Sequence, residues 1–157
     1  MRGLLVIGHG SRRDEANATV REVARLLTTP GRATTPTPGQ ATTPTPDRVV
    51  TSSHPQVRWH AVQPAFLEVV QPDIIAGYGN LAAAGCTEIV AHPFFLFDGN
   101  HTSQDIPAAL VQAQERFPHT RWTLTAPLGL HPGVLTAVTA RIDDALTGRS
   151  LAPSGPW

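Results

Sequence analysis

Three residues in this chain are of the right type and setting to do chemistry together. They are His9, set between Gly8 and Gly10; Glu68, closing Gln63-Pro64-Ala65-Phe66-Leu67-Glu68; and His101, closing Pro93-Phe94-Phe95-Leu96-Phe97-Asp98-Gly99-Asn100-His101. An imidazole can offer a lone pair to cobalt, nickel, iron or zinc and can take up a proton near neutrality, and a carboxylate adds an anionic oxygen. Two imidazoles and one carboxylate therefore make a plausible site for a divalent transition metal. The chain has no His-Glu-x-x-His, and Cys86 is its only cysteine, so neither a zinc hydrolase motif nor a cysteine-based zinc module is present. His131, in Pro127-Leu128-Gly129-Leu130-His131-Pro132, could line the same cleft or cap the last helix, and the capping reading is preferred.

These residues are useful only if the fold brings them together, and the hydrophobic pattern says how it does. Leu4-Leu5-Val6-Ile7 reads as a buried parallel strand running into Gly8-His9-Gly10-Ser11. Ser11 can cap a helix from about Arg13 to Leu27, with Asp14 and Glu15 in its first turn and Ala16, Val20, Val23, Ala24 and Leu27 as its apolar face. Val57 to Val62 alternates as a second strand, Asp73 to Ala84 reads as a helix stopped by Gly85, and Glu88 to Pro93 as a third strand. Thr102 or Ser103 caps a third helix, Trp122 to Ala126 forms a fourth strand, and a last helix spans about Gly133 to Leu146. Alternating strands and helices predict an α/β fold, a four-stranded parallel sheet flanked by helices in flavodoxin-like layering. Ligands collect at the carboxyl ends of such strands, where His9, Glu68 and His101 would converge.

With 157 residues the chain suffices for a single core, expected over residues 1–147 with a tail at 148–157. Residues 28–55 interrupt it with Thr, Pro, Gly and Ser and the repeat ATTPTPGQ–ATTPTPDR, which cannot bury enough surface to order itself. That stretch is expected to be a disordered surface insertion. Formal net charge is zero, which argues against a general nucleic-acid or membrane-surface binder. The apolar N-terminal run is too short for a signal peptide or a membrane span, and a lone cysteine suits a reducing compartment, so a cytoplasmic protein is expected.

The four motifs at 4–11, 63–68, 93–101 (with Asp105-Ile106-Pro107) and 127–132, in this order, resemble those of the CbiX-type sirohydrochlorin chelatases, class II chelatases in their short, single-half form. The resemblance covers nearly the whole chain outside the Thr/Pro insertion and the tail. It implies insertion of a divalent metal, Co²⁺ or Fe²⁺ and in some members Ni²⁺, into a sirohydrochlorin-type tetrapyrrole, in cobalamin or siroheme biosynthesis. It implies no cofactor beyond that metal substrate. The family's two metal-handling histidines fall on His9 and His101 and its acidic residue on Glu68, and short members pair as homodimers. His92 departs from the family's usual apolar residue and is read as a satisfied core or rim histidine.

Gly10, Ser11, Arg12 and Asn100 lie beside the motif histidines and are expected to meet the macrocycle and its carboxylates. Gly8 and Gly10 are expected to leave room for a flat ligand, so that valine at position 10 would impair binding more than folding. A non-catalytic metal or tetrapyrrole carrier would use the same ligands and is the alternative. A histidine phosphatase is disfavoured, because Gly8 stands where an arginine should precede the nucleophile and the phosphate clamp is missing.

Overall fold

The computed structural model describes residues 1–28, 57–97 and 99–148, and for residues 100–102 the backbone alone. All of the Thr/Pro insertion except Thr28, and the tail from residue 149, lie outside the described residues. The elements run β1 (Arg2–Gly8), α1 (Asp14–Thr28), β2 (Ala61–Phe66), α2 (Ile74–Ala83), β3 (Glu88–Pro93), α3 (Asn100–Arg116), β4 (Arg121–Leu124) and α4 (Pro132–Leu146). The sheet is parallel throughout, in the order β2-β1-β3-β4. The α/β architecture, and among the described residues the four strands and four helices, are those expected.

β1 is central and covered on both faces, which is why Leu4, Leu5, Val6 and Ile7 follow one another without a polar residue. Leu4 and Val6 pack with Val20 and Ala24 of α1 and with Phe66. On the opposite face Leu5 and Ile7 pack with Tyr78, Leu81, Ile106 and Leu110 of α2 and α3. α2 begins where expected, Asp73 accepting a hydrogen bond from the Ala76 amide at 2.8 Å.

β4 is Arg121–Leu124 rather than Trp122 to Ala126, and two further boundaries and one helix face differ from expectation. The second strand is Ala61–Phe66, not Val57 to Val62. The alternation at 57–60 suggests a strand and Pro64 argues against one, but β2 lies at the sheet's edge, where a residue without an N–H is tolerated opposite Val6. α3 begins at Asn100 and runs through Thr102 and Ser103, the Ser103 amide donating to the Gly99 carbonyl at 3.1 Å. Pro107 therefore lies inside α3, which forgoes one i→i−4 rung there. In α1 the buried stripe is Asn17, Val20 and Ala24, while Ala16 faces solvent.

His92, on the α1 side of β3, is satisfied as expected, its Nδ1 lying 2.7 Å from Thr125 Oγ1 on the neighbouring chain segment. Burial pushes its pKa below the free imidazole's 6.5. The unfolded chain then takes up this proton at a higher pH than the native one does. Stability supplied by neutral His92 is fully present above about 6.5 and declines as pH falls through the window between the unfolded and the lowered native value. Substituting His92→Gln, which can keep the bond to Thr125, should flatten that acid-side decline in urea unfolding series measured across this window. Parallel pH profiles for variant and wild type would refute the account.

Candidate metal-handling site

The site is built where the loops after β1 and β2 are laced together. Beyond the strand ends the Leu67 amide donates to the Gly8 carbonyl at 3.1 Å and the Glu68 amide to the His9 carbonyl at 3.2 Å. The sheet ladder thus continues into the loops and sets His9 beside Glu68. The Val70 amide then donates to the Glu68 carbonyl at 2.7 Å across Val69, whose φ of 68° is rarely adopted by a β-branched residue. Such strain persists only where the surrounding bonds hold it, and here it turns the chain sharply behind Glu68.

Gly10 is required for this lacing. Its φ is +92°, and a Cβ there would stand 1.9 Å from the Glu68 carbonyl oxygen. A Cβ on Gly8 would stand 2.7 Å from a Val20 methyl of α1. The space that the two glycines were expected to leave for a ligand is therefore filled by the chain itself. Gly8 lets α1 lie close to β1, and Gly10 lets one loop cross against the other.

Ser11 is also placed differently from expectation. α1 starts only at Asp14, and the Ser11 Oγ accepts from the Arg13 amide at 3.1 Å within the loop. The Ser11 backbone is held by Asn17, whose Oδ1 accepts from the Ser11 amide at 2.9 Å and whose Nδ2 donates to the Ser11 carbonyl at 2.7 Å. Asn17 is 1% exposed, so this pair of bonds is made in a dry setting and fastens the His9 loop to α1. Sequence reasoning missed Asn17; the signal was an amide at helical spacing with Val20 and Ala24. Arg12 is exposed.

His9 itself is presented to solvent, its side chain 60% exposed, with Nδ1 3.5 Å from Glu68 Oε1 and 3.4 Å from the Gly10 carbonyl. Two oxygens beside Nδ1 favour the tautomer protonated there, which leaves the Nε2 lone pair free for a cation. Phe95 supports the ring edge-on at 6.3 Å between centroids and 89° between planes. Past β3, Leu96 and Phe97 are 50% and 77% exposed, and Leu130 of the next loop is 82% exposed. The two loops are joined by the Leu128 amide donating to the Phe95 carbonyl at 2.9 Å. An apolar rim therefore stands at the same sheet edge as His9. An apolar run continuing past the end of a strand was its sequence signal.

His101 and Asn100 lie in the first turn of α3, at the carboxyl edge of β3 next to β1, and their side chains are outside the described residues. The structure thus brings His9 and Glu68 together and places the His101 backbone on their edge of the sheet. His131 caps α4, its Nδ1 accepting from the Gly133 amide at 3.0 Å, as the preferred reading had it. Among the described residues no three or more His, Cys, Asp or Glu side chains gather into a cage.

The CbiX family pattern matches residues 3–145, almost the whole of the described fold. The chain belongs to the CbiX family. Among this family member's relatives, the sirohydrochlorin ferrochelatase of Arabidopsis thaliana chloroplasts is 29% identical over 145 residues, 92% of this chain and 53% of the plant protein. The sirohydrochlorin cobaltochelatase of Priestia megaterium is 30% identical over 84 residues, 54% of this chain and 28% of that one. The chain thus spans about half or less of the length of these relatives. In fold it is similar to the sirohydrochlorin chelatase SirB from Bacillus subtilis subspecies spizizenii, solved in complex with cobalt. The TM-score is 0.69 at 24% identity, covering 91% of this chain and 50% of SirB. A CbiX protein from Marinobacter aquaeolei VT8 superposes over 96% of this chain and 100% of its own, with a TM-score of 0.65 at 19% identity.

Within this CbiX fold Gly10→Val should unfold or loosen the lacing. A loss of roughly 2 kcal/mol or more is expected in denaturant unfolding, from the positive φ and the displaced carbonyl together. Asn17→Ala should cost on the order of 1–3 kcal/mol by leaving the half-buried Ser11 N–H and C=O without their partner. Either variant matching wild-type stability would overturn the account of its position.

Proposed function

We propose that this chain inserts a divalent metal, Co²⁺ or Fe²⁺ with Ni²⁺ as a further candidate, into a sirohydrochlorin-type tetrapyrrole. The observation that carries the proposal is the exposed His9–Glu68 pair, 3.5 Å apart at the open sheet edge of a CbiX-family domain. The curated relatives are sirohydrochlorin ferrochelatases and cobaltochelatases, which supports the same substrate class. The metal is a substrate that passes through, and no further cofactor is invoked.

In the reaction the macrocycle loses two pyrrole protons, four ring nitrogens close on the cation, and the cation gives up its protein and water ligands. His9 Nε2 offers a lone pair to the incoming metal or accepts a pyrrole proton, with His101 acting likewise from the first turn of α3. Glu68 offsets the cation's charge or receives the second proton. A site with so few donors holds the metal only in transit, which suits delivery better than a closed cage would. The apolar rim of Leu96, Phe97 and Leu130 gives the ring's flat face a surface to lie on. Arg12, the Ser11 hydroxyl and Asn100 are assigned to its peripheral carboxylates, with Gly10 shaping the loop that carries them. One copy offers a single wall, so we assign the complete cleft to a homodimer in the cytoplasm.

The test is anaerobic incubation of sirohydrochlorin with Co²⁺, Fe²⁺ or Ni²⁺, followed by visible absorption. Wild type should convert many equivalents of macrocycle per chain. His9→Ala and His101→Ala should each slow conversion by roughly 100-fold or more, and Glu68→Gln by less, with folding retained. A spectral shift that stops at one equivalent would identify a carrier instead, and wild-type rates in both histidine variants would overturn the site.

A further inference from the structure

Val69 holds a backbone conformation that is costly for a β-branched residue, and it finds no place in the core. Its φ is 68°, and the residue is 62% exposed. The apolar residues around it are accounted for: Phe66 and Val70 pack on the α1 side of the sheet, and Leu67 packs on the side of α2 and α3. The sharp turn behind Glu68 explains the positive φ but not the valine, since glycine or asparagine would take that φ at less cost. The fold thus carries strain in order to hold two methyl groups in water. What offsets strain that buries nothing within the fold is burial against a body outside the chain.

The place of Val69 says which body. In the sheet order β2-β1-β3-β4, Val69 follows β2, His9 follows the central β1, Leu96 and Phe97 follow β3, and Leu130 lies in the segment after β4. Neighbouring strands lie about 4.8 Å apart, so exposed apolar residues stand about one strand spacing from His9 on one flank and one to two on the other. The apolar rim of Leu96, Phe97 and Leu130 therefore has a counterpart, and His9 and Glu68 lie between the two. A flat body with polar atoms at its centre and carbon around them matches that order, its nitrogens over the imidazole and its outer carbons resting on either side. We infer that Val69 supports the macrocycle on the β2 side, opposite Leu96, Phe97 and Leu130, and is a specificity-determining contact that centres the ring over His9. A hydrated ion gains nothing from a valine there, whereas a broad ring gains affinity and alignment together. The inference rests on the tetrapyrrole reading of this site and deepens it by assigning how the ring lies.

Equilibrium binding of metal-free sirohydrochlorin to the full chain, read anaerobically by visible absorption, tests it. Val69→Asn, which accepts a positive φ but presents a polar amide, should raise the urea midpoint and weaken binding about five- to tenfold. Val69→Leu, apolar and not β-branched, should bind within about twofold of wild type. Co²⁺ binding in the absence of macrocycle should be the same in both variants as in wild type, because His9 and Glu68 are kept. Wild-type macrocycle affinity in Val69→Asn would overturn the inference, and an unraised urea midpoint would overturn the strain on which it is argued. A loss in Val69→Leu as large as that in Val69→Asn would make the shape of the loop decisive, and a parallel loss of Co²⁺ affinity would make Val69 a support for Glu68; either result overturns the contact. A wild type that binds the ring without turnover, with Val69→Asn still weakening binding, would overturn the insertion chemistry and leave the contact standing. A wild type that binds no macrocycle would overturn both.

Discussion

The contact on which this domain's working end depends is the crossing of the Glu68 carbonyl over Gly10. Because only a hydrogen fits between them, the loops after β1 and β2 are one surface, extended from the sheet by the bonds from Leu67 to Gly8 and from Glu68 to His9. The separation of the histidine from the carboxylate is therefore set by strand register rather than by the sampling of two independent loops. A ligand arriving at two side chains so fixed would have little ordering entropy left to lose. Asn17 extends the same logic to α1, which is bonded to the Ser11 backbone as well as packed on the sheet.

The character of the pair follows from its exposure. A carboxylate and an imidazole that are both more than half open to water attract one another weakly and pay little desolvation. Neither is committed to its neighbour, so each can turn to a cation. The apolar side chains around them, Phe95 beneath the ring and Leu96, Phe97 and Leu130 beyond it, suit the flat body of a macrocycle, whereas an open hydrophilic edge would suit the hydrated ion alone. The geometry is that of a meeting place for two partners of unlike solubility.

Much of this was legible in the amino-acid order. An uninterrupted apolar run and four strand-to-helix alternations led to the parallel sheet, and the four motifs led to the pairing of His9 with Glu68 and to the CbiX family. The departures have physical causes. The alternation at 57–62 placed the second strand too early, and Thr102 or Ser103 looked like a cap but both lie inside α3, because local signals do not know which strand is outermost or where tertiary packing starts a helix. The glycines were the instructive case. From sequence, a glycine beside a histidine looks like space for a ligand, and only the tertiary crossing reveals that the space belongs to Glu68 and Val20. Asn17 was passed over for the same reason: its place on the apolar stripe of α1 was readable, but its partners stand six residues away in a loop.

β1 runs the full depth of the sheet, and α1 returns along it, so that Thr28 and the entry to β2, where the His60 amide bonds to the Arg2 carbonyl, both stand at the end opposite His9. That end is a natural port for protein engineering. A reporter or tethering domain grafted between α1 and β2 would sit about 20 Å, one strand length, from the His9 edge, and lengthening a connection there costs little closure entropy. The fold thus separates the surface on which it can be extended from the surface on which it works.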